Sequence, residues 1–434
     1  MFNQFLESTH ALPDSSTILL VHYGDNWLRG SEHCLLNLCH ALKKQGFSPI
    51  VWCNTQALSE ALKSHGVPYH CSKMEILLGY QKKRYDLCAW YTQIKTGINL
   101  IKQYKPALVH INSAAPCQWM QVAGLLTNTP CITQLHAHYG TFKDRLTLGL
   151  HFCNIIMGVS HAAIRALDSD GTNLQQTRII LPNAIDALAL QQQPPVSIKK
   201  ALGVEQDAIL LLSVGSLIKR KGHRFLLDTL HTLNTSSSLA HHKPYYVAII
   251  GDGEELESLK EQCVALNINK YVFFLGNQDN AFGYMLGDAD ALISTAIDEV
   301  FGLVLAEANL AKIPVIAPNI KGINSVIKQY KTGLLYTPNN HLSLQKALLS
   351  LSQHTDWQVR VSRGYYRALT TFNSHKHIYG IIQAYEQAID IHQNNTFLTR
   401  LKKSLFVCQA IQKWVLNRTL LARNTLHKKT AGAK

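Results

Sequence analysis

From residue 17 onward, short runs of β-branched and aliphatic residues alternate with longer stretches whose apolar positions recur every three or four residues. Strands buried on both faces need continuous apolar runs, and the helices that cross over them need one apolar stripe. TILLVHY (residues 17–23) predicts the first strand, and SPIVWCN, ALVHINS, PCITQLH, NIIMGVS and TRIILPN predict five more, with helical stretches between them. Together they predict a doubly wound parallel-sheet domain over residues 1–190. QQQPP (191–195) can neither continue a helix nor pair fully in a sheet, and reads as the hinge. The runs AILLLSVGS, YYVAIIGDG, VFFLG, ALISTA, PVIAP and TGLLY then predict a second domain of the same kind over 196–374. A final helix, about 375–391, is expected to cross back onto the first domain. The fold class is α/β, with two Rossmann-like domains.

Composition supports this picture. The 434 residues are 47% hydrophobic and 16% charged, which suits two packed domains and excludes long disordered stretches. Ten scattered cysteines form no CxxC pair or Cys/His cluster, so neither a disulfide framework nor a zinc site is predicted. With no leader-like start and no apolar run of about twenty residues, the expected location is cytoplasmic. The net charge is +14, yet nine Lys/Arg and no Asp or Glu fall in the tail 395–434; without it the charge is +5. Phe397, Leu401, Leu405, Cys408, Ile411 and Val415 recur there at helical spacing. Two readings stand side by side: a helix on an anionic membrane surface, which would make the protein peripheral on the inner face, or a helix packed on the protein. No stacking motif accompanies the charge, which disfavours nucleic acid as a partner.

The chemistry concentrates in STAIDEVFGLVLAEANLAKIPVIAP (294–318), which reads strand, loop, helix, loop, strand. A helix starting near Phe301 or Gly302 points its free amides and the positive end of its dipole into a cleft, where a diphosphate fits. Glu299 precedes that first turn, and Glu307 lies roughly 7.5 Å along the helix axis. The helix around Glu307 is apolar on nearly all sides, so its carboxylate is costly unless a ligand such as a ribose diol satisfies it. SVGSLIKRKGH (213–223) places Ser216, Lys219, Arg220 and Lys221 after the second domain's first strand. Gly30 follows the first strand of the first domain, where it lets backbone approach a ligand. His136 ends the strand PCITQLH, with His138 just beyond. GDGEEL lacks the third glycine of a dinucleotide fingerprint, because Leu256 stands there. The acidic pairs at Asp168–Asp170 and Asp288–Asp290 lie where no metal–diphosphate bridge forms.

Two glutamates eight positions apart, with Phe-Gly close after the first, resemble the family 4 retaining glycosyltransferases of GT-B architecture. The likeness extends from about residue 17 to 390. It implies a central cleft between the domains and a nucleoside-diphosphate sugar as donor. Glu299 and His136 are then the candidate catalytic residues that orient the sugar, and Glu307 holds the ribose. Amides near Phe301, Gly302 and Leu303 meet the donor's phosphates and sugar, and Lys221 clamps the diphosphate. Of the family's usual Gly-Gly pair only Gly30 is present, Arg29 taking the other place. Ser216 replaces the family's usual arginine, leaving Lys219 or Arg220 to supply that charge, and Ala184 in LPNAID replaces a usual glycine. The implied reaction is metal-independent transfer with retention to a glycan or lipid-linked acceptor in envelope polysaccharide synthesis, with no cofactor. The alternatives are an epimerase or hydrolase of nucleotide sugars with the same fold, or an inactive sugar-nucleotide-binding protein.

Overall fold

The computed structural model describes residues 12–13, 15–77, 86–170, 176–235, 244–353, 356–395 and five single positions between 402 and 412. Among these residues the first sheet holds seven parallel strands: β1 (Thr17–Val21), β2 (Ser48–Cys53), β3 (Tyr69–Cys71), β4 (Leu108–Ile111), β5 (Cys131–Leu135), β6 (Ile155–Gly158) and β7 (Thr177–Ile180). Their order is β3-β2-β1-β4-β5-β6-β7. Six coincide with the apolar runs of the sequence. The additional one, β3, is a three-residue edge strand with no fully buried position, too short and too exposed to leave a hydrophobic pattern.

The second sheet comprises β8 (Ile209–Val214), β9 (Tyr245–Ile250), β10 (Val272–Gly276), β11 (Ala291–Ile293), β12 (Val315–Pro318) and β13 (Leu334–Tyr336), in the order β10-β9-β8-β11-β12-β13. Every pairing in both sheets is parallel. In each sheet the chain winds outward from the first strand and then reverses, which opens a crevice at the carboxyl ends of β1/β4 and of β8/β11. Open α/β sheets bind ligands at such switch points.

The connection back is made by Phe372 and the helix Ser374–Gln393. Asn373 caps that helix by accepting from His375 N at 2.8 Å and Lys376 N at 3.3 Å. Its apolar stripe, Ile378, Ile381, Ile382, Tyr385 and Ala388, packs into the core formed by β1, β2 and the helix α1 (Gly30–Lys44). The Tyr385 hydroxyl lies 2.7 Å from His110 Nδ1 on β4. Burial, with the neighbouring His136, pushes the His110 imidazole down to about 3, so this contact is between neutral groups. The last helix thus belongs physically to the first sheet. Where it begins, Ile185 N donates to Phe372 O at 2.9 Å, so the two chain crossings run side by side. The prolines of QQQPP rest on the second sheet's side, with Pro194 O accepting from Asn280 Nδ2 at 3.0 Å and Val196 N donating to Gly283 O at 2.9 Å.

Candidate active site

In the second domain, the loops after β8 and β11 are zipped together. Ile297 N donates to Arg220 O at 2.8 Å, and Thr295 Oγ1 to Lys221 O at 3.2 Å. This brings SVGSLIKRKGH and the two-glutamate stretch onto one wall of the crevice. The GDGEEL turn after β9 packs behind them. A Cβ on Gly253 would stand 2.4 Å from Leu217 O, so close backbone approach accounts for this glycine and no dinucleotide is needed to explain it.

Glu299 sits in the loop after β11, with Lys221 Nζ 2.6 Å and Arg220 Nη1 3.6 Å from its Oε2. Its Oε1 accepts from Val300 N at 3.2 Å. Burial acts to raise the Glu299 carboxyl, but the charge and hydrogen bond of Lys221, helped by Arg220, outweigh it and hold the group below the usual carboxylate value. Of the two candidates for the missing arginine charge, Arg220 is the one that turns to this loop, also donating to Asp298 O at 2.9 Å. Lys219 is exposed, and Ser216 sits half-buried at the head of the turn.

Gly302 adopts φ +89, a left-handed conformation that L side chains avoid, and the helix Leu303–Leu310 begins after it with no side-chain cap. Leu305 N already donates to Gly302 O at 3.0 Å, which leaves the amides of Leu303 and Val304 for a ligand. Phe301 does not contribute its side chain: the ring is buried and packs edge-on to Phe372, 5.3 Å between centroids at 87°. Only its backbone can meet a ligand. Glu307, in the second turn, has a half-buried side chain, and no hydrogen bond or ion pair reaches its carboxylate among the described residues. Burial pushes that carboxyl up to about 7.

The first domain supplies the facing wall. Burial, followed by the charges of Glu307 and Glu32, pushes the Cys34 thiol on α1 up to about 12. Ser160 Oγ donates to Val300 O across the crevice. Gly30 opens α1 and is exposed; a Cβ there would meet nothing within 4 Å, so its surroundings are open space. His136, half-buried at the end of β5, has Nε2 3.1 Å from Asn112 Oδ1, while Nδ1 is buried with no partner. Burial, with His22 next in effect, pushes its imidazole down to about 3. His138 is exposed.

Behind His136 lies a group that the sequence reading missed. His22 and Asn112 follow β1 and β4 at the first switch point, and Glu32 stands in the first turn of α1. Glu32 accepts from Arg29 N at 3.0 Å, but with Arg29 at the cap, whose side chain only donates, no Ser/Thr-x-x-Glu signature announces it in the sequence. Nor does the sequence announce its link to His22, because that depends on the tertiary fold. The acidic pair Asp288/Asp290 has a structural role. Asp288 accepts from the Ile198 and Lys199 amides at 2.7 and 3.1 Å, and Asp290 accepts from Leu210 N at 2.7 Å and pairs with Lys199 Nζ at 2.9 Å. Among the described residues no cluster of three or more His, Cys, Asp or Glu could hold a metal.

Two family models match the two halves of the chain: Glycosyltransferase Family 4 over residues 28–187, and Glycosyl transferases group 1 over residues 197–366. The chain is a family 4 glycosyltransferase. Among curated relatives, this glycosyltransferase is 23% identical over 238 residues to the N-acetyl-alpha-D-glucosaminyl L-malate synthase of Bacillus anthracis, covering 52% of this chain and 60% of that one. The chain spans 37, 60 and 66% of the length of three such curated relatives. A glycosyltransferase from Rickettsia africae superposes with a TM-score of 0.73 at 20% identity, over 87% of this chain and 99% of that structure. Anabaena HepE, solved in complex with UDP-glucose, superposes at 0.71 and 18% identity, over 86% and 100%. At these identities the superpositions establish the GT-B fold of the glycosyltransferase.

Proposed function

We propose that this glycosyltransferase moves a sugar from a nucleoside-diphosphate donor to a hydroxyl of a glycan or lipid-linked acceptor, with retention at the anomeric carbon and without a metal ion. The observation that carries the reading is a set of groups at the β8/β11 switch point: two cations gathered on Glu299, an uncapped helix amino terminus, and an unpartnered, half-buried carboxyl at Glu307. Lys221, Arg220 and the helix amides would neutralise the departing diphosphate, the largest charge that develops in the transition state. Glu307 would accept the ribose hydroxyls, while Glu299 and His136 orient the sugar. HepE, a neighbour of the same fold, binds UDP and UDP-glucose, and relatives include an O-antigen biosynthesis glycosyltransferase of Escherichia coli. Both support a nucleotide-sugar donor and an envelope polysaccharide as acceptor.

The test is a thermal-shift panel of UDP, GDP and ADP, each with magnesium and with EDTA. One nucleotide should raise the unfolding midpoint by a few degrees, equally in both conditions, since a ligand at a hundred times its Kd stabilises by about 2.7 kcal/mol. No shift with any nucleotide would count against a donor site, and a shift abolished by EDTA against metal independence. Product formed from the donor without any acceptor would instead favour a hydrolase or epimerase.

No helix among the described residues is long and apolar enough to cross a membrane. The basic tail lies outside the described residues except for positions 402, 405, 408, 409 and 412, which are helical and exposed. The proposal places it on anionic lipid at the membrane's inner face. Truncation after residue 395 should then abolish sedimentation with phosphatidylglycerol vesicles and leave nucleotide-induced stabilisation intact; undiminished sedimentation would refute the assignment.

A further inference from the structure

At the first switch point a continuous line of hydrogen bonds runs inward from His136. His136 Nε2 lies 3.1 Å from Asn112 Oδ1, Asn112 Nδ2 3.1 Å from His22 Nδ1, and His22 Nε2 2.9 Å from Glu32 Oε1. Glu32 and His22 are buried, at 3% and 1% exposure, and so is Asn112 at 1%. The second oxygen of Glu32 accepts from Arg29 N at 3.0 Å and Ser31 Oγ at 2.9 Å, which pins the carboxylate. Burial works to raise this carboxyl, but the His22 hydrogen bond dominates together with those donors and holds it at about 2.

An ionised carboxylate only accepts, so His22 must carry a proton on Nε2. Its Nδ1 faces the Asn112 side-chain nitrogen at 3.1 Å and the Asn112 backbone oxygen at 3.3 Å; the nearer group is a donor, and a neutral His22 accepts from it. Asn112 therefore turns its oxygen to His136, and that oxygen takes a proton from His136 Nε2. A neutral imidazole protonated on Nε2 has a bare lone pair on Nδ1, and Nδ1 is the atom left buried without a partner. His136 also borders a cavity of 30 Å³ with Asn112, Gln134, Asn183 and His377 around it. That is room for about one or two water-sized groups. Asn183 Oδ1 is a second buried acceptor without a partner. Two unpartnered acceptors beside one small cavity call for a hydrogen-bond donor.

Resting on the sugar subsite proposed above, we infer that Asn112 is a positioning residue that locks His136 in its Nε2–H tautomer, so that Nδ1 accepts from a hydroxyl of the transferred sugar. Glu32 and His22 set the direction of the line from behind. Other charged or titratable groups near His136 are His110 on β4 and His377 on the last helix. The His110 imidazole is pushed down by burial and then by His136, and that of His377 by burial. His377 Nδ1 donates to Pro182 O at 2.8 Å, so it does not compete for His136.

The first measurement is a long-range 1H–15N correlation spectrum of the full chain labelled with 15N-histidine, with the His136 signals identified by their loss in His136→Gln. A protonated Nε2 and bare Nδ1 on His136 are expected; the opposite tautomer overturns the inference. The second measurement compares Asn112→Leu with Asn112→Asp, using UDP-glucose or whichever donor the nucleotide panel selects. Asn112→Leu should release the tautomer and lower kcat about tenfold or more, with the Kd of the free nucleotide unchanged. Asn112→Asp, which still offers His136 an oxygen, should keep both within about threefold. An Asn112→Leu enzyme with the parental tautomer and kcat refutes the positioning role. If the tautomer is as expected but His136→Ala turns over donor normally, the sugar-subsite reading fails and the hydrogen-bond line stands.

Discussion

Replacing Glu307 by Gln is expected to make the empty enzyme more stable at pH 8 while weakening donor binding. The folded protein holds the Glu307 carboxyl at about 7, against an ordinary value of 4.5. A folded state that binds a proton more tightly than the unfolded chain loses stability as pH rises from about 4.5 to 7, and the full penalty is present above that window. The shift sets a ceiling of about 3 kcal/mol, and the half-buried position reduces it to the order of 1–3 kcal/mol. Glutamine has no proton to lose, so the gain in unfolding midpoint should vanish near pH 4.5 and reach a few degrees at pH 8. The same change removes a charged acceptor for the ribose hydroxyls, worth about 1.5–3 kcal/mol, or roughly 10- to 100-fold in Kd. Titrating a nucleotide sugar, whose diphosphate has no ionisation near neutrality, should show parental affinity improving from pH 5 to 7 and then levelling. A flat profile in the parent, together with no stability gain in the variant, would remove Glu307 from the site.

Lys221→Met should lower kcat by about 10²- to 10³-fold, the usual cost of deleting one preorganised group that meets developing charge. Lys221 faces two partners in turn. It neutralises Glu299 at 2.6 Å in the empty enzyme, and a diphosphate entering the crevice would compete for the same ammonium. Arg220, at 3.6 Å from Glu299 and 45% exposed, is the weaker contributor, so Arg220→Gln should cost less. Steady-state rates at saturating donor separate the two variants. Equal losses would show that the diphosphate does not distinguish them, and an active Lys221→Met enzyme would move the leaving group elsewhere.

The sequence carried more of the second domain's wall than of the first. Glu299 and Glu307 lie on one continuous strand–loop–helix stretch, so their spacing along the chain already fixes their spacing in space. The two sheets were legible for a related reason, since a strand covered on both faces must be apolar throughout. Arg220's direction was not legible, because a three-residue 3-10 turn over Lys219–Lys221 decides which of three adjacent cations faces inward. Nor was the line from Glu32 to His136. Asn112 lies ninety residues from His22 in the chain and meets it only because β4 settles beside β1. The Phe301 ring is a further case: the sequence pointed to the backbone amides near it and left its ring, which lies in the core, unassigned.

That burial has a mechanical corollary. Phe301 leads into the helix Leu303–Leu310 and Phe372 into the returning one, and their edge-to-face contact, worth about 1 kcal/mol beyond the area it hides, joins the β8/β11 end of the crevice to the paired chain crossings between the domains. Loading a nucleotide and swinging the lobes would then be strokes of a single lever, and a smaller residue at position 372 would uncouple them, leaving an enzyme that fills normally yet shuts poorly.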